Sequence, residues 1–292
     1  MGTPHHHIRN PLEWGWDQLK HTGHAMDQAA HSMDGAWDNR GDAPLTVRRL
    51  SVADLADVIK SGVEDFGAYR TDVIFLCLAY PVIGLLLSHL MFGYGMLPLL
   101  FPMVSGFALL APFFAVGLYE MSRRRELGTE SGWEDAFGVA RSPALGSILV
   151  MGLLLAALFA LWLFAAHLIY LLTLGPDAPI SMRAFAHDVL LTPKGWTLIG
   201  VGTGVGFVFA VVAATISVIS FPLLLDRDVG VLAAIATSVR VVRANPGMMA
   251  LWGVIIAAGL VVGALPLLLG LAIVLPVMGH ATWHLYRRVL PR

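Results

Sequence analysis

A chain of 292 residues with one cysteine can form no intrachain disulfide, and Cys77 cannot by itself build a thiolate metal site. Charge is scarce as well: 13% of residues are Asp, Glu, Lys or Arg, about half of what a soluble domain carries. No acidic or basic residue stands near the middle of any long apolar run, so an ion-coupled transporter would lack its usual carrier groups. There is no Walker-type glycine loop and no G-x-S-x-G turn, so the commonest phosphate-binding and serine-hydrolase signatures are missing and no enzymatic activity is expected. Nothing in the sequence points to a nucleic-acid partner, to a cofactor or to a resident metal.

What remains is oil-soluble. Hydrophobic residues make up 57% of the chain and the mean hydropathy is +0.72. The charges fall in short blocks between apolar stretches of roughly 18 residues or more, long enough to cross a hydrocarbon core. Six spans are expected, near 73–92, 97–119, 145–174, 196–225, 247–265 and 267–286. The fold class is therefore an all-α membrane protein with six transmembrane helices. Of the 19 Lys and Arg residues, only Arg183 and Lys194 lie on one side of this arrangement. The basic side is expected to be cytoplasmic, which puts both termini there. The segment GPDAPISMRAFAHDVLLTPKGW becomes the one sizeable outer loop.

The spans look like copies of one unit. GFALLAPFFAVGLYEMSRR from Gly106 aligns without gaps with GLAIVLPVMGHATWHLYRR from Gly270, matching Pro112 to Pro276 and Arg123–Arg124 to Arg287–Arg288. SFPLLLDRD carries Pro222 in a similar place. VEDFGAYR and WEDAFGVAR precede the first and third spans, and VRVVR precedes the fifth. Three tandem units are expected, near 50–125, 129–228 and 229–292, each an amphipathic helix followed by a helical hairpin. In the first helix Val52, Leu55, Ile59, Val63 and Phe66 recur at helical spacing, opened by Ser51 with Asp54 three residues on. In the third, Val231, Ile235, Val239 and Val242 share a face. Such helices should lie at the cytoplasmic interface. The domain plan is thus a His-rich segment with an amphipathic helix and linker at 1–46 and a six-span membrane domain at 47–292. The N-terminal helix lines up Leu12, Trp16, Leu19, Met26, Met33 and Trp37 as a partner-binding or interfacial face.

Counting from each proline, His280 corresponds to Asp226, and His284 to Glu120. If the units are related by threefold symmetry, Glu120, Asp226, His280 and His284 converge at the cytoplasmic mouth as a candidate polar pocket, where a carboxylate would raise a neighbouring imidazole's affinity for protons. Three readings of the His280/His284 pair stay open: the polar rim of a membrane helix, a site in that pocket, or half of a metal or haem site. The first is the expectation, since Arg287 and Arg288 follow at once. Pro112, Pro222 and Pro276 free the carbonyls of Ala108, Val218 and Ala272 and permit kinks. Gly200 with Gly204, and Gly202 with Gly206, have the small-xxx-small spacing that lets membrane helices approach closely.

The stretches APFFAVGLYEMSRR, FPLLLDRDVGVLAAIATSVRVVRANPGMMALW and PVMGHATWHLYRR resemble an uncharacterised family of bacterial integral membrane proteins, domain of unknown function family 2189, over about residues 47–292. The resemblance implies a multi-span protein of the bacterial inner membrane and carries no activity. Labels on relatives that tie them to cytochrome c oxidase subunit I do not fit a chain with half the spans and too few intramembrane histidines, and at most imply an accessory role beside a respiratory complex. Three functions are open: a scaffold or accessory protein engaging lipids and other membrane subunits, a lipid or small-molecule handler using the polar pocket, and a haem- or metal-binding protein. The first is expected.

Overall fold

The computed structural model describes residues 45–77, 97–129, 139, 142–177, 179, 181–266 and 269–291. Among them every regular element is helical. The N-terminal helix with Leu12, Trp16, Leu19, Met26, Met33 and Trp37, most of the first expected span and most of the second amphipathic segment lie outside the described residues.

Helix α1 (Val52–Cys77) opens on the expected capping box. The Ser51 amide and hydroxyl both donate to Asp54 Oδ2, and the Asp54 amide donates to Ser51 Oγ. The helix then runs without interruption from its amphipathic half into the first apolar run. The next span, Pro98–Glu126, is built in pieces: α2 (Leu97–Phe107), a 3₁₀ turn at Ala108–Leu110, α3 (Ala111–Phe114) and α4 (Val116–Glu126). The break starts at Ala108, the residue whose carbonyl Pro112 cannot satisfy. Two more spans follow. One is α5 (Leu145–Thr173), after which Gly175 takes a positive φ of 99°. The other, Pro193–Asp226, joins α7 (Pro193–Ser217) to α8 (Ser220–Asp226). Between α5 and α7 the expected loop contains a helix, α6 (Met182–Leu191), capped by Ser181 Oγ and free of Gly and Pro from end to end. Helix α9 (Val231–Ala244) leads into the span α10 (Pro246–Ala264), and α11 (Leu271–Val289) closes the bundle.

Four helical segments are long and apolar enough to cross a membrane among the described residues, and they coincide with the second to fifth expected spans. Helix α11, the expected sixth, is not one of them. Its second half is packed inside the protein: His280, Ala281, Trp283, Leu285, Tyr286 and Val289 are fully buried.

The break between α7 and α8 has an identifiable cause. Pro222 has no amide to offer Val218, and one residue further on the helical bond from Ile219 N to the Thr215 carbonyl is replaced by an inserted hydroxyl. Ile219 N donates to Ser238 Oγ at 3.3 Å, and Ser238 Oγ donates to Thr215 O at 2.7 Å. Helix α9 thereby bonds to the kink it packs against. Around Pro276, by contrast, α11 continues unbroken.

Buried side chains concentrate at the basic end. Leu55 and Val58 of α1, Tyr119 of α4, Phe221 and Leu224 of α8, Val241 of α9 and Trp283, Tyr286 and Val289 of α11 belong to one core cluster. Away from that end the spans are loosely enclosed, with Phe101, Phe164, Phe207 and Leu265 all exposed. Apolar surface facing lipid gains little by packing on protein, whereas a core at the aqueous end is stabilised by burial, by about 1.5–3 kcal/mol for a large side chain.

Candidate functional site

Helices α1 and α11 run in opposite directions along each other, Asp54 and Asp57 meeting Arg288 at one end and Tyr69 meeting His280 at the other. Gly62 permits the close approach. A Cβ built there would lie 2.7 Å from Ala281 Cβ and 2.8 Å from both Ala281 N and Val277 O. The crossing brings the polar residues of α1, α4, α8 and α11 together.

At its centre is Asp65, which is 5% exposed. Its Oδ2 accepts a 2.5 Å hydrogen bond from Ser122 Oγ and lies 2.8 Å from His284 Nε2, while its Oδ1 accepts from Arg125 Nη1 at 2.8 Å. The same Arg125 atom donates to the Glu64 carbonyl. Ser122 Oγ is also 2.8 Å from His280 Nδ1. A hydroxyl has one hydrogen to donate, and with that hydrogen pointing at Asp65 the serine accepts from His280 Nδ1–H. The assignment leaves His280 Nε2 as an acceptor, fully buried and without a partner among the described residues. His284, Asp65, Ser122 and His280 thus form one hydrogen-bonded chain from a partly exposed imidazole to an enclosed one. Burial works to raise the Asp65 carboxyl, but the hydrogen bonds from His284 and Ser122 outweigh it and hold it below the ordinary aspartate range.

Glu120 and Asp226 sit in a second group beside the first. Glu120 is clasped by Arg123, through Nε at 2.7 Å and Nη2 at 3.0 Å, and by Arg124 Nε at 2.7 Å. Asp226 accepts from the Tyr286 hydroxyl at 2.8 Å and lies 3.7 Å from Arg287 Nη1. Arg287 Nε also donates to Glu126, which accepts from Trp283 Nε1 at 3.1 Å. On the far side Arg288 bridges Asp54 and Asp57, and Arg48 reaches Asp54 at 3.0 Å. Ser51's hydroxyl and amide hold the Asp54 carboxyl low, with Arg48 and Arg288 adding to the effect.

The four residues that the repeat register brings to one mouth therefore share one end of the bundle without sharing one cavity. An open cleft of about 270 Å³ is lined by His284, Arg287, Arg288, Glu126, Ser61 and Val58. Of the four, His284 alone lines it. His280 is enclosed rather than at a polar rim, because α1 and α4 cover it. No group of three His, Cys, Asp or Glu side chains among the described residues is arranged to hold a metal. In the glycine stripe, a Cβ built on Gly206 would lie 2.9 Å from the Trp162 ring, while one built on Gly200, Gly202 or Gly204 would meet nothing within 4 Å. Trp162 is further fixed by Nε1 donating to the Pro102 carbonyl and by Gly106 on its other side.

Sequence reasoning missed Asp65, Ser122, Arg125, Glu126 and Tyr286. Asp65 had one signal, the Glu64–Asp65 pair recurring as Glu134–Asp135 in the second unit.

Residues 100–226 match the family model described as "Predicted integral membrane protein (DUF2189)". The matched stretch contains α4 and α8, two walls of the site, and leaves out α1 and α11, the other two. No curated protein and no solved structure matches the chain.

Proposed function

We propose that this integral membrane protein is a non-catalytic scaffold, an accessory component that holds other membrane subunits and whose polar residues serve its own architecture. The observation that carries the reading is the internal consumption of charge at the basic end. Asp65, Glu120, Glu126, Asp226, Arg287 and Arg288 all bond to partners within the chain, and a buried charge so paired has little left for a substrate. Ser122, the one hydroxyl nucleophile in the network, is 1% exposed and donates its hydroxyl hydrogen to a hydrogen bond with Asp65. The open glycines of α7 supply the matching feature, a face that another membrane helix can approach closely.

In this reading the chain crosses the bacterial inner membrane six times as three tandem units, with the basic end and both termini in the cytoplasm. Support comes from the second, fourth and sixth expected spans: their parts α4, α8 and α11 pack against one another at that end, α9 packs on α7 and α8 of the unit before it, and α1 packs on α11 as the cyclic equivalent. Purification in mild detergent followed by native mass spectrometry tests the function. The scaffold predicts membrane subunits at fixed stoichiometry that are lost in the Gly200→Leu/Gly204→Leu variant while thermal stability is kept. A monomer free of partners contradicts it. The lipid or small-molecule reading retains one support, His284 in the wall of the cleft. It predicts a retained ligand that disappears in His284→Ala.

A further inference from the structure

Most arginines at the basic end are neutralised. Arg48, Arg123, Arg125, Arg287 and Arg288 each sit on a carboxylate, and so does Arg124. Arg49, Arg240 and Arg243 are different: all three are exposed, and among the described residues none has an ion pair or side-chain hydrogen bond. They are also neighbours. Asn245, 5% exposed, accepts from the Leu50 amide at 2.7 Å and donates to the Arg48 carbonyl at 3.2 Å, so the segment carrying Arg49 is pinned to the junction of α9 and α10. Arg243 is two residues before Asn245, and Arg240 is one helical turn before that on α9. The opposite face of α9, with Val231, Ala234, Ser238 and Val241, is buried against the bundle.

From this we infer a binding site for the phosphate of an anionic phospholipid headgroup, formed by Arg49, Arg240 and Arg243 where α9 meets the membrane span α10. The depth is right: α10 begins its apolar run at Pro246, immediately after the arginines, so their guanidinium groups lie at the headgroup level. The chemistry is right as well, because guanidinium groups with no carboxylate partner among the described residues present donors in the fork geometry that a phosphodiester accepts. Among the other described arginines at this end, Arg227 donates to the Pro291 carbonyl and the rest sit on carboxylates. Asp54, the described acid nearest to Arg49 in sequence, is occupied by Arg48 and Arg288. Asp226 and Asp228 belong to the opposite end of α9. The site rests on the proposal that the basic end faces a lipid leaflet and does not depend on a scaffold role.

The test uses the full chain in mild detergent with phosphatidylglycerol and phosphatidylcholine in equal amounts, and native mass spectrometry to count retained lipid. An arginine at an anionic surface contributes about fivefold to binding. Retention of phosphatidylglycerol by Arg49→Gln/Arg240→Gln/Arg243→Gln should therefore fall by roughly a hundredfold, with an unchanged melting temperature because all three side chains are exposed. An Arg183→Gln/Lys194→Gln control should retain it as the wild type does. Equal retention of the two lipids by the wild type, or unchanged retention by the triple variant, overturns the site. Loss in the Arg183/Lys194 control instead would move the anionic contact to the other end and overturn the orientation itself. Full displacement of the lipid by millimolar inorganic phosphate would show a site for a soluble anion and overturn the assignment to lipid.

Discussion

Two glycines five residues apart in α1 should respond to alanine with opposite signs. At Gly62 a new Cβ would stand 2.7–2.8 Å from Ala281 Cβ, Ala281 N and Val277 O. Two of those atoms are backbone and cannot rotate away, so the helices must separate along a contact that also aligns Asp65 with His284 and Arg288 with Asp57. Overpacking of this kind costs about 1–3 kcal/mol, less the roughly 0.5–1 kcal/mol that alanine gains over glycine in a helix. A net loss of about 1–2 kcal/mol is expected for Gly62→Ala. At Gly67 nothing lies within 4 Å of the built Cβ, so only the helix-propensity gain applies and Gly67→Ala should be stabilised by about 0.5–1 kcal/mol. The assay is reversible denaturant unfolding in mild detergent, followed by the near-ultraviolet signal of the buried Trp283 and Tyr286. A Gly62→Ala protein as stable as the wild type, or a Gly67→Ala protein that loses as much as Gly62→Ala, would refute the close crossing of α1 and α11.

The remaining expectations use the same assay. Asp65→Asn keeps the shape but removes the charge that Arg125 and His284 face; with both partners partly exposed, the loss should be about 1–3 kcal/mol, below that of a fully buried pair. Because the Asp65 and Asp54 carboxyls are held low, their contribution is fully present above the unfolded value near 3.8 and disappears as pH falls through the lower folded values. The wild type should therefore lose stability at the acid end of a pH series, Asp65→Asn should show a shallower decline there, and parallel curves would contradict the network. Ser238→Ala leaves Ile219 N and Thr215 O without their bridge inside a buried kink, at a cost of about 1–3 kcal/mol; a loss under about 0.5 kcal/mol would mean the kink closes by itself. Leucine at Gly206 should clash with the Trp162 ring and destabilise, whereas leucine at Gly200 should leave stability unchanged or slightly raised, a difference visible in melting temperature.

Hydropathy located the apolar segments that the structure shows, since a run of apolar residues between charged blocks has few other ways to fold. The Ser51–Asp54 cap was equally readable, because it is a contact between residues three apart. The face that α1 buries was not. Periodicity groups Val52 and Val63 with Leu55 and Ile59 on one apolar face, but Val52 and Val63 are exposed and the buried face is Leu55, Val58, Gly62 and Asp65. A hydrophobicity rule cannot favour a glycine selected for close approach or an aspartate selected for partners on other helices. The site was half legible for the same reason. Repeat register brought Glu120, Asp226, His280 and His284 to one end, but their actual partners depend on the rotation of each helix about its axis. Ser122 to Asp65 is a contact across 57 residues, and His284 to Asp65 one across 219. Pro112 and Pro222 mark real breaks while Pro276 does not, and the Ser238 hydroxyl inserted at the second break comes from another helix.

The first and last described helices meet, so that α11 closes the bundle on α1. Ser61 of α1 and Pro291, two residues past the end of α11, line one cleft, so a cross-link between them reads the contact. In a Cys77→Ser background, Ser61→Cys/Pro291→Cys treated with a short bis-maleimide should give a monomer carrying one intrachain bridge, identified by intact mass and by a linked peptide pair. Two separate single-ended adducts, or bridges that form only between chains, would contradict it.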